Sequence, residues 1–597
     1  MHRRVWFLAA AAAGVLMLAG SAAAMTVSST NSSSRVLAAA PFAKAYASVP
    51  RTPAGRQAKS ILTFAMEQDA GGFNLANTDF TGAWAAYFGE TPIIRGNYII
   101  DQKGNYKYDM AKKVVATKKY LRIFIKKNAN WNWIGHKLHP VTAADYIYTW
   151  KQFVKPGNNV ASTTGYSNIT RAVKKGNKEV TFYWSTPFAD YRDLFGYIYP
   201  AYALKGQTFN TFWAHCVCGS DGKPISDGPF YLSSWTPGQG LILKANTKWY
   251  GKKPALKEIV GKLINDQNAE VQAMKGGEVD AIFPGQPTNA LSSLLSQKNL
   301  NTIVTPGYVQ EHIDLEFGPA KSAGGGTHTA DGAYLEGKQY FRSALAMGLN
   351  RQPVINAVYN GIVPKNKLKP LNNPEWEFGT YATGKYAYFA KYNYNPKKAI
   401  ATLKSHGCTG GPSSPSANNN KIWTCGGHKA EIGFYTTTAP ARELSAQVWQ
   451  QQELAIGIKL DVKFYTAQPD FFTNLTPTGA FDLAEYAWSG GPDPSGFDAI
   501  YQCVDTGKNL GGQNYKNYCN KTVDKLLKKG DANLNAAGRV ANYEAAAKIL
   551  SDQVSIIPLY ARPVILIYKK TIKGMSKSDN PTSEGPTWNA ESWKWGS

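Results

Sequence analysis

Beyond Ala24 the chain contains no apolar run long enough to cross a bilayer, so a bundle of membrane-spanning helices is excluded. Acidic residues are few, 41 against 66 basic ones, which leaves a formal net charge of +25. Such a balance suits a nucleic-acid binder when the cations mass in one stripe. Here the lysines are scattered as pairs, at 112–113, 118–119, 126–127, 252–253 and 528–529. We therefore expect attraction to an anionic cell-envelope surface and no nucleic-acid partner. Catalytic signatures are missing too. Gly-x-Ser-x-Gly and His-Glu-x-x-His do not occur, which removes familiar serine-acyl and zinc-peptidase chemistry. Gly379-x-x-x-x-Gly384-Lys385 nearly spells a phosphate loop, but Tyr386 stands where Ser or Thr must reach magnesium.

What is present points to an exported, folded protein. Hydrophobic residues make up 43% and aromatic residues 13% of the 597, which fits packed cores and not a disordered chain. His2-Arg3-Arg4, the apolar stretch to Ala24 and the small residues Ala22-Ala23-Ala24 form a signal peptide with cleavage expected near Ala24. Leu18-Ala19-Gly20 resembles the start of a lipoprotein box, but Ser21 occupies the cysteine position, and a thioether to diacylglycerol needs sulfur. Residues 25–58, rich in Ser and Ala, read as a linker.

The cysteines number six, and in an exported chain they read first as disulfides. Cys408 with Cys425, and Cys503 with Cys519, would each close a loop of roughly 15 residues, worth about 3 kcal/mol in the chain-entropy model. Cys216 and Cys218 are either a local bridge or two bonds made elsewhere. His406 and His428 beside the Cys408 and Cys425 positions give a zinc-like inventory, but the spacing is loose and the intervening loop is of low complexity, so a disulfide is expected. His215-Cys216-x-Cys218 has no local fourth ligand. No metal or cofactor is implied. Glu278 and Asp280, two apart on a strand, are read as solvated or capping carboxylates.

Along the chain, strands and helices alternate without an internal repeat, which argues for α/β lobes. Ile61–Met66, Tyr120–Lys126 and Glu179–Trp184 read as strands, with Leu121, Ile123 and Ile125 on one face. Thr142 caps a helix with Asp145 in its first turn, Asp266 caps another that ends at Gly276-Gly277, and Asn395 caps a third with Pro396 at its first position. Asn350 is expected to cap the helix that follows Tyr340–Leu349. Residues 442–455, 523–527 and 539–554 are helical; 458–464, 556–560 and 564–568 are strands. Asp227-Gly228-Pro229 marks a tight turn, with Gly228 expected to supply a positive φ, and Pro237-Gly238 joins two short strands.

The block Ser226–Ile282 is the most informative. It reads Ser-Asp-Gly-Pro-Phe-Tyr-Leu-Ser-Ser-Trp, then Leu-Ile-Leu-Lys-Ala-Asn at 241–246, Lys248-Trp-Tyr-Gly-Lys-Lys-Pro and Gly276-Gly-Glu-Val-Asp-Ala-Ile. Tyr120–Trp150 with Pro140-Val-Thr-Ala-Ala-Asp, Arg342-Ser-Ala-Leu with Asn350-Arg351, Trp488–Pro494, Gly512-Gln-Asn and Asn520-Lys-Thr-Val-Asp follow in the same order. This succession resembles the extracytoplasmic solute-binding proteins of the oligopeptide and dipeptide class, which deliver ligand to ABC importers, and covers roughly residues 60–572. The resemblance implies a periplasmic-binding-protein-like clamshell, two α/β lobes with a hinge plus an extra lobe. A first lobe would comprise 59–110, 226–310 and 561–597, the extra lobe 111–225, and the second ligand lobe 311–560. The hinge would lie near Val309–Phe317 and Tyr560–Pro563. It also implies a non-enzymatic, monomeric receptor for a peptide or other small solute, oligosaccharides included, working with a membrane permease from the periplasm or cell surface. A secreted hydrolase is the competing class.

The same resemblance implies a ligand set of Trp488, Ser489, Gly490, Gly491, Asp493, Asn74 and Phe317. In peptide-binding relatives an Asp three residues after the cleft Trp pairs with the peptide's α-amine. Position 491 is Gly here, and Asp493-Pro494 sits one residue nearer Trp488 than in the common pattern. The expectation is that this amine anchor is lost.

Overall fold

Two strands longer than the usual span of about 3–10 residues run through the middle of the molecule, Leu300–Leu315 and Ile556–Lys569. They belong to one ten-stranded sheet. In chain order its strands are Ile61–Met66 (β1), Phe230–Thr236 (β2), Gly240–Ala245 (β3), Glu258–Leu263 (β4), Ala281–Ile282 (β5), Leu300–Leu315 (β6), Glu431–Thr437 (β7), Lys459–Tyr465 (β8), Leu483–Ser489 (β9) and Ile556–Lys569 (β10). Their order across the sheet is β2-β3-β4-β1-β5-β10-β6-β9-β7-β8. The computed structural model describes residues 60–596 except 78, 79, 81, 82, 286, 375–386 and 504–512. The expected signal peptide 1–24, the linker 25–58, the Gly379–Lys385 segment and Gly512 lie outside the described residues.

The antiparallel pair β6 and β10 joins two separately cored halves of this sheet. On one side a hydrophobic core runs from Leu62 and Phe64 through Trp131, Tyr146 and Phe182 to Trp593. It is shared by β1–β4 and by a four-stranded antiparallel sheet made of residues 111–116, 120–125, 179–184 and 169–174. On the other side Ile313, Leu345, Phe434, Trp449 and Tyr560 form a second core. Leu121, Ile123 and Ile125 are buried as their alternation requires.

At the crossing Pro306 faces Pro563, and the register then shifts so that Gln310 faces Ala561. The sequence suggests two strands, 556–560 and 564–568; the structure has one. Pro563 does not break it, because a proline that cannot donate is accommodated at an irregularity in the ladder. Gly307 lies inside the same irregularity, where an added Cβ would stand 2.4 Å from the Arg562 carbonyl oxygen.

Local signals set the helix starts. Asp266 Oδ1 accepts from Ala269 N at 2.8 Å, Asn395 Oδ1 from Lys398 N at 3.0 Å, and Asp145 Oδ2 from Thr142 N at 2.7 Å. Two readings need correction. Asn350 occupies the cap position of Arg351–Val358 but makes no side-chain cap bond; its backbone N–H donates to Gln452 Oε1 at 2.6 Å instead. Gly228 does not have positive φ. Glycine is needed there because a Cβ would meet Pro92 O at 2.4 Å, while its N–H donates to Ile93 O at 2.9 Å.

The cysteines form three bonds, Cys408–Cys425, Cys503–Cys519 and the local Cys216–Cys218. Glu278 and Asp280 each hold a lysine, Lys262 and Lys569 respectively, both at 2.6 Å.

Candidate functional site

Strand β9 ends beside the crossing. Val309 pairs with Ser489 and Gln310 with Trp488, and Gly490 N donates to Tyr308 O at 2.8 Å. The chain then leaves the sheet through Gly490-Gly491-Pro492-Asp493 and enters a cavity of about 980 Å³. One wall is this segment with Ser495, Gln502 and Asn514; the other comes from residues 75–76, 86–106, 153–197 and 583–584. The volume lies at the top of the roughly 300–1,000 Å³ range of small-ligand sites. Two hydrogen bonds hold the walls together: Ser495 Oγ to Asp190 Oδ2 at 3.0 Å and Ala189 N to Asp531 O at 2.7 Å.

Asp493 is not a free acid. Arg539, on the helix Ala536–Asp552, donates to both of its oxygens at 2.6 Å, and Ser495 N adds a 3.0 Å bond to Oδ1. Both side chains are 3% exposed, so the charges are paired away from water. The other carboxylates of the cavity are held differently. Burial pushes the Asp190 carboxyl well above its usual range, and the charges of Asp493 and Asp193 add to that. Burial, then Asp493, raises Asp193 to about 6. Glu90 is raised by burial and by its neighbour Glu584, which burial lifts to about 7 against the opposing pull of Arg95.

The sequence-derived ligand set divides in two. Gly490, Gly491 and Asp493 line the cavity. Trp488 packs instead between His312, Tyr486 and Tyr515. Ser489 opens on a smaller cavity of about 430 Å³ beside Arg442 and Arg562. Asn74 is fully buried, donating to Phe209 O at 2.8 Å and accepting from Tyr199 Oη at 2.6 Å. The Phe317 ring lies against Tyr518 and under the Arg342 guanidinium. Sequence reasoning missed Glu90, Asp190, Asp193 and Glu584. The one signal available was Asp190-Tyr-Arg-Asp193, two acids close together in a basic chain. Among the described residues no group of three or more His, Cys, Asp or Glu is arranged to hold a metal ion, and no helix is long and apolar enough to cross a membrane.

Two cored bodies joined by a pair of crossing strands, with a cavity between their walls, define a binding protein that takes a small ligand between two lobes. Comparison places it further: the chain belongs to the bacterial extracellular solute-binding proteins, family 5, whose model matches residues 105–508. It is thus the solute-binding component of an ABC import system. It is 24% identical over 451 residues to the oligopeptide-binding protein OppA of Mycobacterium tuberculosis, covering 74% of this chain and 68% of that one. Among solved structures, the periplasmic EDTA-binding protein EppA superposes with a TM-score of 0.75 at 20% identity, covering 92% of this chain and 100% of that one. The oligopeptide-binding protein AppA of Bacillus subtilis, in complex with a nonapeptide, gives 0.68 at 19% identity, covering 90% and 99%. At these identities the structures share the fold.

Proposed function

We propose that this protein captures a peptide or peptide-like solute in the 980 Å³ cavity and presents it, unaltered, to its permease. The observation that carries the reading is the cavity itself. It is formed where Gly490–Asp493 of one body meets the Asp190–Asp193 segment of the other, so ligand contact and lobe closure are one event. Relatives named as oligopeptide-binding proteins support a peptide cargo.

The lobes are assigned as 59–110, 226–310 and 561–597 for the first, 111–225 for the extra lobe and 311–560 for the second. The hinge is placed at the Pro306–Gln310 and Ala561–Pro563 irregularity, slightly ahead of the sequence-based position on the first strand. The mature chain is taken to begin near Met25, outside the cytoplasm. The assigned ligand contacts are Gly490 and Gly491, with Asp493 as part of the wall.

Native mass spectrometry of the purified protein tests the cargo. We expect a co-purifying mass that fragments as a peptide; an oligosaccharide mass would overturn the peptide assignment. Incubation with peptide and muropeptide libraries tests the absence of chemistry. Turnover abolished by a substitution at Gly491 would show a hydrolase.

A further inference from the structure

The cavity wall reverses the charge balance of the chain. In a protein with 66 basic and 41 acidic residues, it presents five carboxylates, Glu90, Asp190, Asp193, Asp493 and Glu584, against two guanidiniums, Arg95 and Arg192. Arg95 is already engaged by Asp109 at 3.6 Å and Glu591 at 3.3 Å, outside the wall. Arg192 lies over the Tyr106 ring. Among the described residues none forms an ion pair with Glu90, Asp190 or Asp193. Asp190 is 5% exposed and lines the cavity, and its Oδ1 has no hydrogen-bond partner. A buried acceptor without a partner carries a desolvation cost of about 1–3 kcal/mol, more if charged. A donor carried into the cavity by a ligand would satisfy it.

The acids fall into two groups. Asp190, Asp193 and Asp493 act on one another, as do Glu90 and Glu584. Tyr166 and Tyr197 feel both Asp193 and Glu90, so these rings lie near both groups. Arg539 pairs directly with Asp493, and its charge only partly offsets the upward push on Asp190. We propose that the cavity selects a ligand with two separated ammonium or guanidinium groups, one seated on Asp190 and Asp193 and the other on Glu90. This rests on the cavity being the ligand site. It departs from the expectation drawn from Gly491: the amine anchor is absent from its usual position but is supplied from the facing wall. Burial first, and the neighbouring carboxylates second, raise the affinity of these carboxyls for protons, and a ligand cation would oppose both.

Calorimetry on the mature protein tests it with Lys-Ala-Ala, Ala-Ala-Ala, N-acetyl-Ala-Ala-Ala and 1,5-diaminopentane. We expect Lys-Ala-Ala to bind at least tenfold tighter than Ala-Ala-Ala, and the acetylated peptide to bind more weakly still. Asp193→Asn and Glu90→Gln should each weaken Lys-Ala-Ala at least tenfold. Among the described residues neither side chain makes a hydrogen bond, so both variants are expected to fold, and a thermal melt checks it. Diamine binding that is lost in Asp193→Asn shows that charge alone suffices; binding of the tripeptide only shows that peptide backbone is also required. Both support the proposal. Equal affinity for Lys-Ala-Ala and the acetylated peptide, insensitivity to both variants, or no binding of any cationic probe overturns it. Gly491→Trp separates the two levels. If it abolishes charge-insensitive binding, the cavity is the site and the charge proposal falls; if binding survives it, the site assignment falls.

Discussion

Arg562 on β10 donates through Nε to Glu311 on β6 at 2.7 Å, tying the two crossing strands together beside their register shift. Arg442 approaches the same carboxylate from the helix Pro440–Ala455, with Nε 3.3 Å from Oε2. Burial alone would raise the Glu311 carboxyl, but the two guanidiniums outweigh it and hold it at about 2. Removing this acid leaves two arginines without their counter-charge, which for buried pairs costs roughly 3–5 kcal/mol. Glu311→Gln should therefore lower the urea midpoint at pH 7. Because the folded carboxyl is depressed, its contribution is complete above its ordinary value of 4.5 and disappears as pH falls toward 2. The gap between wild type and variant should narrow between pH 5 and pH 3; a constant gap would contradict the pairing.

Glu485 behaves in the opposite sense. It is fully buried, accepts from Ser445 Oγ at 2.6 Å and Trp449 Nε1 at 3.1 Å, and is lifted to about 8 by burial and by the charge of Glu311. A carboxyl that holds its proton more tightly when folded loses stability as pH rises from 4.5 through 8. Glu485→Gln keeps the shape, with the amide oxygen facing Trp449 and the nitrogen facing Ser445. The melting temperature of this variant should exceed that of wild type at pH 8.5 and match it near pH 4.5. A difference independent of pH would show that Glu485 is ionised throughout.

Asp493→Asn is expected to act on stability and not on amine selectivity. It strips Arg539 of a buried partner, again a loss of roughly 3–5 kcal/mol. The ratio of affinities for free and N-acetylated peptide should stay within about threefold of wild type. A selective, hundredfold loss for the free peptide, about 2.7 kcal/mol, would make Asp493 the anchor after all.

Position 491 has room for a side chain. A Cβ there meets nothing nearer than the Asp493 carbonyl oxygen at 4.0 Å. Gly491→Asp should strengthen binding of free-amine peptides at least tenfold over their acetylated forms, measured by calorimetry. No change would mean that a carboxylate at this position does not reach the ligand.

Affinity for a cationic probe should fall as pH drops through 6, since Asp193 accepts a proton there and then no longer attracts the ligand. The groups facing it are Asp190 and Asp493 with its partner Arg539, while Arg192 and Tyr106 lie close by. Titrations from pH 7.5 to 5 should show the fall steepen below 6, and the dependence should be weaker in Asp193→Asn, where Asp190 and Glu90 still titrate.

Much of the local structure was legible in the sequence because its causes are local. Asp266, Thr142 and Asn395 announce helices because a capping group lies within three residues of the N–H it serves. The alternation Leu121-Ile123-Ile125 marks a buried face for the same reason, and the ordered motifs identified the family. The tertiary structure decided what depends on distant partners. Pro563 looked like a strand break until Pro306, 257 positions earlier, was found opposite it. Asp493 belongs to the ligand set the sequence implies, and only the fold shows that Arg539, 46 positions later, holds both its oxygens. Asp190 meets Ser495 across 305 positions, and no local propensity brings those residues together. Helix capping and strand alternation act over a few residues of chain, so composition and spacing record them. The charge of a cavity is the sum over segments that only folding brings into one wall, so a chain of net charge +25 gives no sign that this cavity is acidic.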